Sequence, residues 1–409
     1  MAKCIMIGCD LHDKSMLLKI VSDRDKPALR SWGTDGRARR AMIADLQRRA
    51  AQAGAGRIVM AYEACGFGFG LHDELTAAGI EAYVLAPSKM ARSPKHRRGK
   101  TDEKDAQAIL DIVRSYVLAG VEMPSVWVPD LLTRDDRELV RRRLTVAEDC
   151  SKAMVRIRWL LKRVEVGAAP AEAWTKEYWL WLEMLVREKL PSGTAAGLAS
   201  LMRQVAWLDE EIDRLDQQVI ALSRTARYAP LVAGVRRLKG VGVLTAMVFL
   251  SEIGDMDRFA NRRQVGAYLG LVPSCSESGE GDDHKGHITH QGPSRVRKVL
   301  CQAVWSRLRT EPWERAAYDR LVRRNPKHKK IAVVARMRAL GVVLWHEART
   351  AQRALAAPQA AASPAATTRW DPGVGNRPPC AGPAAGKQKR RPDPIAPAPI
   401  DLPLGGTDE

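Results

Sequence analysis

The sequence predicts an α/β fold near the N-terminus and a mainly helical chain after it. Short apolar runs alternate with stretches of helical spacing over about the first 120 residues, a pattern typical of a sheet covered by helices. From about residue 131 the chain is highly charged and its apolar residues recur at helical spacing. After about residue 351 it is rich in Ala and Pro, and we expect a disordered tail because this composition cannot bury enough apolar surface.

The order of the N-terminal elements narrows the fold class. Three apolar runs, at residues 3–9, 16–21 and 28–32, predict a three-stranded meander. A helix at 36–53, a strand at 57–62, a helix at 70–78, a strand at 81–86 and a helix from residue 102 follow. This order is that of the ribonuclease H-like fold, an α/β sheet in which carboxylates from separate segments meet at one end.

Four acidic side chains stand at the ends of these elements. Asp10 ends the first strand, Glu63 follows the fourth, and Asp102 and Asp105 open the last helix, three residues apart on one helical face. Each also has an ordinary explanation, as a turn aspartate, a loop carboxylate, or part of an acidic first turn behind the N-cap Thr101. Because the fold brings the three segments together, we expect the four carboxylates to converge.

A cluster of carboxylates is stable chiefly when cations neutralise it, since like charges repel. Oxygen ligands suit Mg²⁺ or Mn²⁺, and two such ions can activate a nucleophile and stabilise the leaving oxygen of a phosphodiester. Arg97, Arg98 and Lys100 lie just before the acidic helix, where we expect them to contact nucleic acid. The pattern therefore predicts metal-dependent phosphoryl transfer on nucleic acid.

The composition agrees with a polyanionic partner. The 409-residue chain has a formal net charge of +19, with Lys and Arg spread along most of it. A membrane surface is the competing partner, but no apolar run reaches the roughly 18 residues of a spanning helix, and we expect a soluble cytoplasmic protein. The seven cysteines form no C-x-x-C pair and indicate neither disulfides nor a zinc site, so we expect small core residues.

Three acidic motifs resemble those of a known family. They are residues 8–10 (Gly-Cys-Asp), 62–66 (Tyr-Glu-Ala-Cys-Gly) and 100–106 (Lys-Thr-Asp-Glu-Lys-Asp-Ala). They resemble the acidic blocks of the DEDD transposases of bacterial insertion sequences, whose N-terminal domain is similar to the RuvC Holliday-junction resolvase. The resemblance implies that Asp10, Glu63, Asp102 and Asp105 are the catalytic, metal-binding carboxylates.

A later segment resembles the C-terminal domain of the same family. Gly-Leu-Val-Pro at 270–273 precedes Ser-Gly at 278–279 and Gly-His-Ile-Thr at 286–289. The resemblance implies that Ser278 is a catalytic hydroxyl nucleophile that captures a DNA phosphate, with Ser276 as the alternative. The chain departs from the family pattern at Glu280, Asp282 and Asp283, because acidic groups beside an incoming phosphate are unfavourable unless they face away.

The middle of the chain predicts two long helical stretches. Residues 137–164 are strongly basic, which is typical of either a solvated face or a polyanion-binding face. Residues 198–222 have apolar residues at nearly heptad spacing, which would allow pairing with a partner subunit. In the resembled family this region is a helical, coiled-coil-forming segment.

Two further candidate nucleic-acid contacts lie in the C-terminal region. The turn with Lys239, Gly240 and Gly242 looks like a helix-hairpin-helix, whose glycines let backbone N–H groups approach a phosphate, although a plain interhelical turn explains it equally well. A basic helix follows the serine segment, and we expect its first-turn cations to contact phosphate: Arg295, Arg297 and Lys298.

The leading interpretation is a DNA transposase or recombinase that combines the carboxylate site with a serine. The resemblance implies a noncoding bridge RNA that pairs with donor and target DNA, and a homodimer or homotetramer. The alternatives are a stand-alone RuvC-like nuclease, which has no use for Ser278, and a noncatalytic nucleic-acid-binding protein with structural acidic residues. The predicted domains are 1–128 (catalytic), 129–228 (helical, coiled coil), 229–350 (transposase domain, mainly α) and 351–409 (tail).

Overall fold

The computed structural model describes residues 3–22, 25–90, 101–276 and 284–356. The chain divides into two compact units, Met1–Asp130 and Leu131–Glu409. The first unit is a five-stranded sheet with helices, and the second is almost entirely helical, so the protein is a mixed α/β chain that is mostly helical. Within the described ranges, no helix combines the length and apolarity needed to cross a membrane.

The sheet of the first unit has the order β3-β2-β1-β4-β5. Strand β1 (Cys4–Leu11) pairs antiparallel with β2 (Ser15–Ser22), which pairs antiparallel with β3 (Ala28–Gly33). On its other side β1 pairs parallel with β4 (Arg57–Glu63), which pairs parallel with β5 (Glu81–Leu85). The predicted meander and the two later strands are therefore confirmed, and β1 lies at the centre of the sheet.

Three helices follow the predicted positions in this unit. They are α1 (Gly36–Ala53), α2 (Phe69–Ala77) and α3 (Asp102–Ala119). The side chains of β1 alternate between two cores because successive residues of a strand face opposite sides. Ile5, Ile7 and Cys9 belong to the core that includes residues of α1 and α2, whereas Cys4 and Met6 belong to the core that includes residues of α3.

The described part of the second unit contains nine α-helices and a two-stranded hairpin. The helices are α4 (Leu131–Arg163), α5 (Lys176–Met184), α6 (Ser192–Ser223), α7 (Ala229–Arg236), α8 (Val243–Ile253), α9 (Arg262–Tyr268), α10 (Ser294–Thr310), α11 (Pro312–Arg324) and α12 (Lys329–Ala356). The hairpin pairs β6 (Pro273–Ser276) with β7 (His284–Ile288). Helix α12 continues to Ala356, so the prediction of a tail from residue 351 is wrong for its first residues.

The heptad-like face of α6 packs against α4 of the same chain. Arg143 of α4 bonds Asp216 of α6, and Cys150 bonds Asp209, so the two helices run antiparallel. The apolar positions of this face are buried in the described chain: Val205, Leu208, Ile212, Leu215 and Val219. At these positions, therefore, the face of α6 that was expected to pair with a partner subunit packs within its own chain.

A buried arginine network joins α4 to the end of α8. Arg137 donates hydrogen bonds to the backbone carbonyls of Ser251 and Glu252 at 2.6 and 3.0 Å, where a helix end leaves carbonyls without intrahelical partners. Arg141 makes two hydrogen bonds, of 2.8 and 2.9 Å, to the buried carboxylate of Glu252. Burial alone would raise the pKa of Glu252, but the hydrogen bonds and charge of Arg141, together with the charges of Arg137 and Arg295, keep that pKa below its usual range.

Some basic residues of the stretch at 137–164 therefore hold helices of the unit together and are not available to bind a polyanion. Arg137, Arg141 and Arg143 all bond groups on other helices of the unit. The cysteine prediction is confirmed for Cys4, Cys9 and Cys150, which are buried. It is wrong for Cys65, which is exposed because it lies in the loop after β4.

Candidate metal centre

A close approach between β1 and α3 positions the candidate site. Gly8 lies where the helix crosses the strand, and a Cβ atom at this position would stand 2.8 Å from Leu110 Cα and still closer to the Ala106 carbonyl oxygen and the Leu110 nitrogen. All three are backbone atoms, so only glycine allows this distance. The packing brings the first turn of α3 beside the end of β1, where Asp10 lies.

Thr101 begins α3 as predicted. Its hydroxyl accepts a hydrogen bond from the backbone N–H of Lys104 at 3.4 Å, which caps the helix. Asp102, Glu103 and Asp105 form the acidic first turn. A cap of this kind fixes where the helix starts, and therefore which carboxylates face β1.

Asp10, His12 and Asp102 bring three potential metal ligands together. The His12 Nε2 atom lies 3.0 Å from Asp10 Oδ2 and 3.6 Å from Asp102 Oδ1. One ligand atom from each residue fits within 4.8 Å of the other two. The side chain of Asp10 is 13% exposed and that of Asp102 is 62% exposed, so one carboxylate is embedded in the fold while the other faces solvent.

The electrostatics of Asp10 fit a site for a cation. Burial raises the pKa of Asp10, and the negative charges of Asp105 and Asp102 raise it further, while His12 opposes the shift. The ionised form of Asp10 is therefore held at a cost in free energy that a bound cation would remove. The set of two carboxylates and one imidazole fits a divalent ion, since carboxylates and imidazoles are ordinary metal ligands.

Glu63 and Asp105 lie at the same end of the unit but outside the three-residue group of ligand atoms. Glu63 is the last residue of β4, directly after Tyr62, which pairs with Cys9 of β1. It is therefore level with Asp10 across the parallel pair. Asp105 acts on Asp10 electrostatically from the first turn of α3.

Lys19 connects β2 to the acidic helix. Its ammonium group lies 3.0 Å from Glu103 Oε1 and donates a hydrogen bond of 3.1 Å to Gln107 Oε1. Lys19 pairs with Gly8 across the β1–β2 ladder, so it reaches α3 at the point of closest packing. This contact gives Glu103 a partner away from the candidate site.

Sequence reasoning missed both His12 and Lys19. The only local signal for His12 was the Asp-x-His spacing at the end of a strand, which places it two residues after Asp10. The structure fixes its backbone in the β1–β2 turn, where the His12 N–H donates to the Ser15 carbonyl at 2.9 Å. The Thr34 hydroxyl bonds the neighbouring Asp13 carbonyl at 2.5 Å, which ties the same turn to the end of β3.

In the second unit, the turn with Lys239, Gly240 and Gly242 does connect two helices, α7 and α8. Gly240 has a φ of +81°, and a Cβ there would lie 2.8 Å from Arg307 Cγ. The Nη1 group of Arg307 also donates a hydrogen bond to the Lys239 carbonyl at 2.7 Å. Packing against α10 is thus enough to require Gly240, whereas a Cβ at Gly242 would meet open space.

Two of the three basic residues of α10 that were expected to contact phosphate, Arg297 and Lys298, have partners within the unit. The Nη1 group of Arg297 donates hydrogen bonds to the carbonyls of Leu269, Gln291 and Gly292, and burial lowers the pKa of Arg297. Lys298 forms a half-exposed ion pair with Glu148 at 2.8 Å. Arg297 therefore holds the segment before α10 in place through hydrogen bonds. Arg295, in the same first turn, is half-buried.

Two glycines bring the ends of the serine segment together. Gly270 and Gly292 have φ values of +64° and +68°, and a Cβ on either would collide with the backbone of the other end, at Gln291 or Tyr268. Between these ends the β6–β7 hairpin pairs Ser276 with His284. Ser278 lies outside the described residues, as do Arg97, Arg98 and Lys100.

Comparison with known families gives two matches, one over the first unit and α4, and one within the second unit. A model described as DEDD transposase of the IS110 type matches residues 7–165, and a model described as transposase IS116/IS110/IS902 family matches residues 233–319. The chain belongs to the IS110 family of DEDD transposases. The first match includes every residue of the candidate metal centre, and the second includes the serine segment and the whole of α10.

Individual relatives agree with this assignment. Over 311 residues the chain is 28% identical to protein y4qE of Sinorhizobium fredii, covering 73% of this chain and 71% of the relative. It is 27% identical over 292 residues to the transposase for insertion sequence element IS1111A of Coxiella burnetii, covering 68% and 73%. The predicted transposase family is therefore confirmed, together with transposition of an insertion sequence as the general function.

Proposed function

We propose that this transposase cleaves and exchanges DNA strands with a divalent metal centre held by Asp10, Glu63, Asp102 and Asp105. The main observation in support is the convergence of β1 and the first turn of α3, where Asp10 and Asp102 both approach His12. Asp105 is close enough to raise the pKa of Asp10, and Glu63 ends the neighbouring parallel strand. Mg²⁺ or Mn²⁺ would supply charge neutralisation and nucleophile activation at this position.

The carboxylates Asp10, Asp102 and Asp105 have different roles in this proposal. Asp10 is embedded and fixed by the sheet, so it defines the position of the centre. Asp102 and Asp105 project from a capped helix start, and Asp102 is open to a substrate from solvent. The sheet order, with β1 central and β4 and β5 parallel to it, supports a ribonuclease H-like assignment for this unit.

We also propose that Ser278 is the nucleophile of the second domain, with Ser276 as the alternative. The serine oxygen would form a phosphoester as one bridging P–O bond of the DNA breaks, and the serine proton would pass to a base while the leaving DNA oxygen becomes a hydroxyl. Support comes from the strands on either side of Ser278, because the close approach of the chain at Gly270 and Gly292 brings β6 and β7 together as a pair.

The remaining expectations stay proposals that rest on the family. They are guidance by a bridge RNA, binding of donor and target DNA, assembly as a homodimer or homotetramer, and the four domains with boundaries near residues 128, 228 and 350. The net charge of +19 supports binding of a polyanion such as DNA or RNA.

A covalent-adduct experiment tests both parts of the proposal. The full chain is incubated with Mg²⁺, DNA that carries the element end, and RNA transcribed from the flanking noncoding DNA, and then denatured and digested for mass spectrometry. We expect a peptide joined to DNA through a phosphoserine at Ser278. Ser278→Ala should lose this adduct, Ser276→Ala should retain it, and Asp102→Asn should form none because the metal centre is incomplete.

Other outcomes would overturn specific parts. An adduct on Ser276 moves the nucleophile by two residues. Cleavage without an adduct in both the wild-type chain and Ser278→Ala would replace the serine mechanism with a plain nuclease. Normal cleavage by Asp102→Asn would exclude the metal centre described above.

A further inference from the structure

His12 stands among the carboxylates although no part of the proposed four-carboxylate centre requires it. We propose that His12 is an additional metal ligand of this transposase, through Nε2, and that it shifts the preference of the centre from Mg²⁺ toward divalent ions that accept nitrogen ligands. This inference rests on the proposed metal centre.

The distances between the ligand atoms support direct coordination. Two neighbouring ligands of an octahedral ion with bonds of about 2.1 Å lie about 3.0 Å apart. The separation between His12 Nε2 and Asp10 Oδ2 is 3.0 Å, and that between His12 Nε2 and Asp102 Oδ1 is 3.6 Å. These two separations are close to those between neighbouring ligands of one ion, and all three ligand atoms lie within 4.8 Å of one another.

The position of His12 is set by the fold rather than by the flexibility of a loop. Its backbone N–H is bonded to Ser15 across the β1–β2 turn, and Thr34 ties the next residue, Asp13, to the end of β3. The imidazole is 45% exposed, so it is reachable by an ion from solvent. A ligand on a fixed turn costs less conformational entropy on binding than one on a mobile segment.

The chemistry of imidazole predicts the direction of the selectivity. Mg²⁺ prefers an all-oxygen shell, whereas imidazole nitrogen suits later first-row ions, whose affinity for a given site rises from Mn²⁺ through Co²⁺. A centre made only of carboxylates would discriminate less between Mg²⁺ and Co²⁺. Adding His12 should therefore increase the ratio of the Co²⁺ affinity to the Mg²⁺ affinity.

The experiment measures that ratio without using catalysis. Co²⁺ and Mg²⁺ dissociation constants are obtained by titration calorimetry on the full chain at one fixed pH. Co²⁺ absorption spectra report whether nitrogen is coordinated. The variants are His12→Ala, and His12→Gln, which keeps a polar group that can bond Asp10; His72→Ala is the control, since its ring contacts Asp73 on α2 instead.

We expect the affinity ratio to fall about tenfold in both His12 variants, which is about 1.4 kcal/mol, with a change in the Co²⁺ spectrum and with Mg²⁺ affinity nearly unchanged. The control should keep the wild-type ratio. An unchanged ratio and spectrum in His12→Gln would overturn the role of His12 even if His12→Ala is unstable. If the wild-type chain binds neither ion, or if Asp10→Asn binds both normally, the proposed metal centre itself fails.

Discussion

Replacing Gly8 with alanine should separate the two elements that form the candidate site. The added methyl group would stand 2.8 Å from Leu110 Cα and nearer still to two other backbone atoms of α3. Ordinary van der Waals contact begins at 3.4 Å, and backbone cannot rotate away as a side chain can. The helix must therefore retreat from β1 by about 1 Å, which is the spacing needed to relieve overlap at normal contact distances.

The expected costs follow from this displacement. Overpacking a core typically costs about 1–3 kcal/mol, and a clash with backbone falls at the upper end of that range. The shift also moves Asp102 and Asp105 relative to Asp10, and a misplacement of about 1 Å can reduce a reaction rate about 100-fold. Gly8→Ala should therefore lose about 2–3 kcal/mol of stability and about 100-fold in DNA cleavage.

The assay compares Gly8→Ala with a matched glycine substitution in the same unit. Gly70 lies in α2, and a Cβ there would meet open space, so Gly70→Ala should be neutral or slightly stabilising. For Gly8→Ala, the urea midpoint of the affected transition should fall by about 1 M, given an ordinary denaturant slope. Wild-type unfolding and cleavage by Gly8→Ala would refute the idea that this packing sets the carboxylate positions.

Three further predictions concern charge. Asp105→Ala should abolish DNA cleavage while leaving DNA binding nearly intact, and normal cleavage in Mg²⁺ would contradict its role. DNA affinity, measured by fluorescence anisotropy, should fall at least about 1,000-fold between about 50 and 200 mM salt if about six phosphates are contacted, and a flat dependence would exclude a phosphate-driven interface. Because folding lowers the pKa of Glu252, this carboxylate stabilises the fold at pH values above its ordinary pKa of 4.5. This stabilisation is lost as the pH falls through the lowered pKa. Acid unfolding should therefore depend less on pH in Glu252→Gln, and an unchanged pH profile would refute this.

Much of the first unit could be predicted because its signals are local. The apolar runs that became β1, β2 and β4 are short and bounded by turn residues, and α1 occupies the predicted residues 36–53. Placing Asp10 and Asp102 near each other needed only the order of these elements. The same order gave no reason to single out His12, because its role depends on a distance across the site rather than on a pattern in the chain.

The basic residues of the second unit show why charge is harder to interpret from sequence. A run of Arg along a helix indicates a polyanion-binding surface when the helix faces solvent, but the same residues can satisfy buried acceptors. Arg141 and Arg143 bond acidic partners 111 and 73 residues away. Only the packing of α4 against α6 and α8 reveals those partners, and neither Glu252 nor Asp216 stands in a motif.

The net charge therefore overestimates the number of basic side chains available to bind DNA. Those that pair with groups inside the chain are not available for phosphate contacts. Arg137 is committed to the end of α8, and Arg297 to the carbonyls that precede α10. Substituting Arg137 would disturb folding before it changed a phosphate contact, since it leaves two buried carbonyls without donors. Substituting Arg297 would first release the segment whose carbonyls it bonds. Cations exposed on the same helices, such as Arg142 and Arg309, are the sites where loss of charge should reduce DNA affinity without loss of stability.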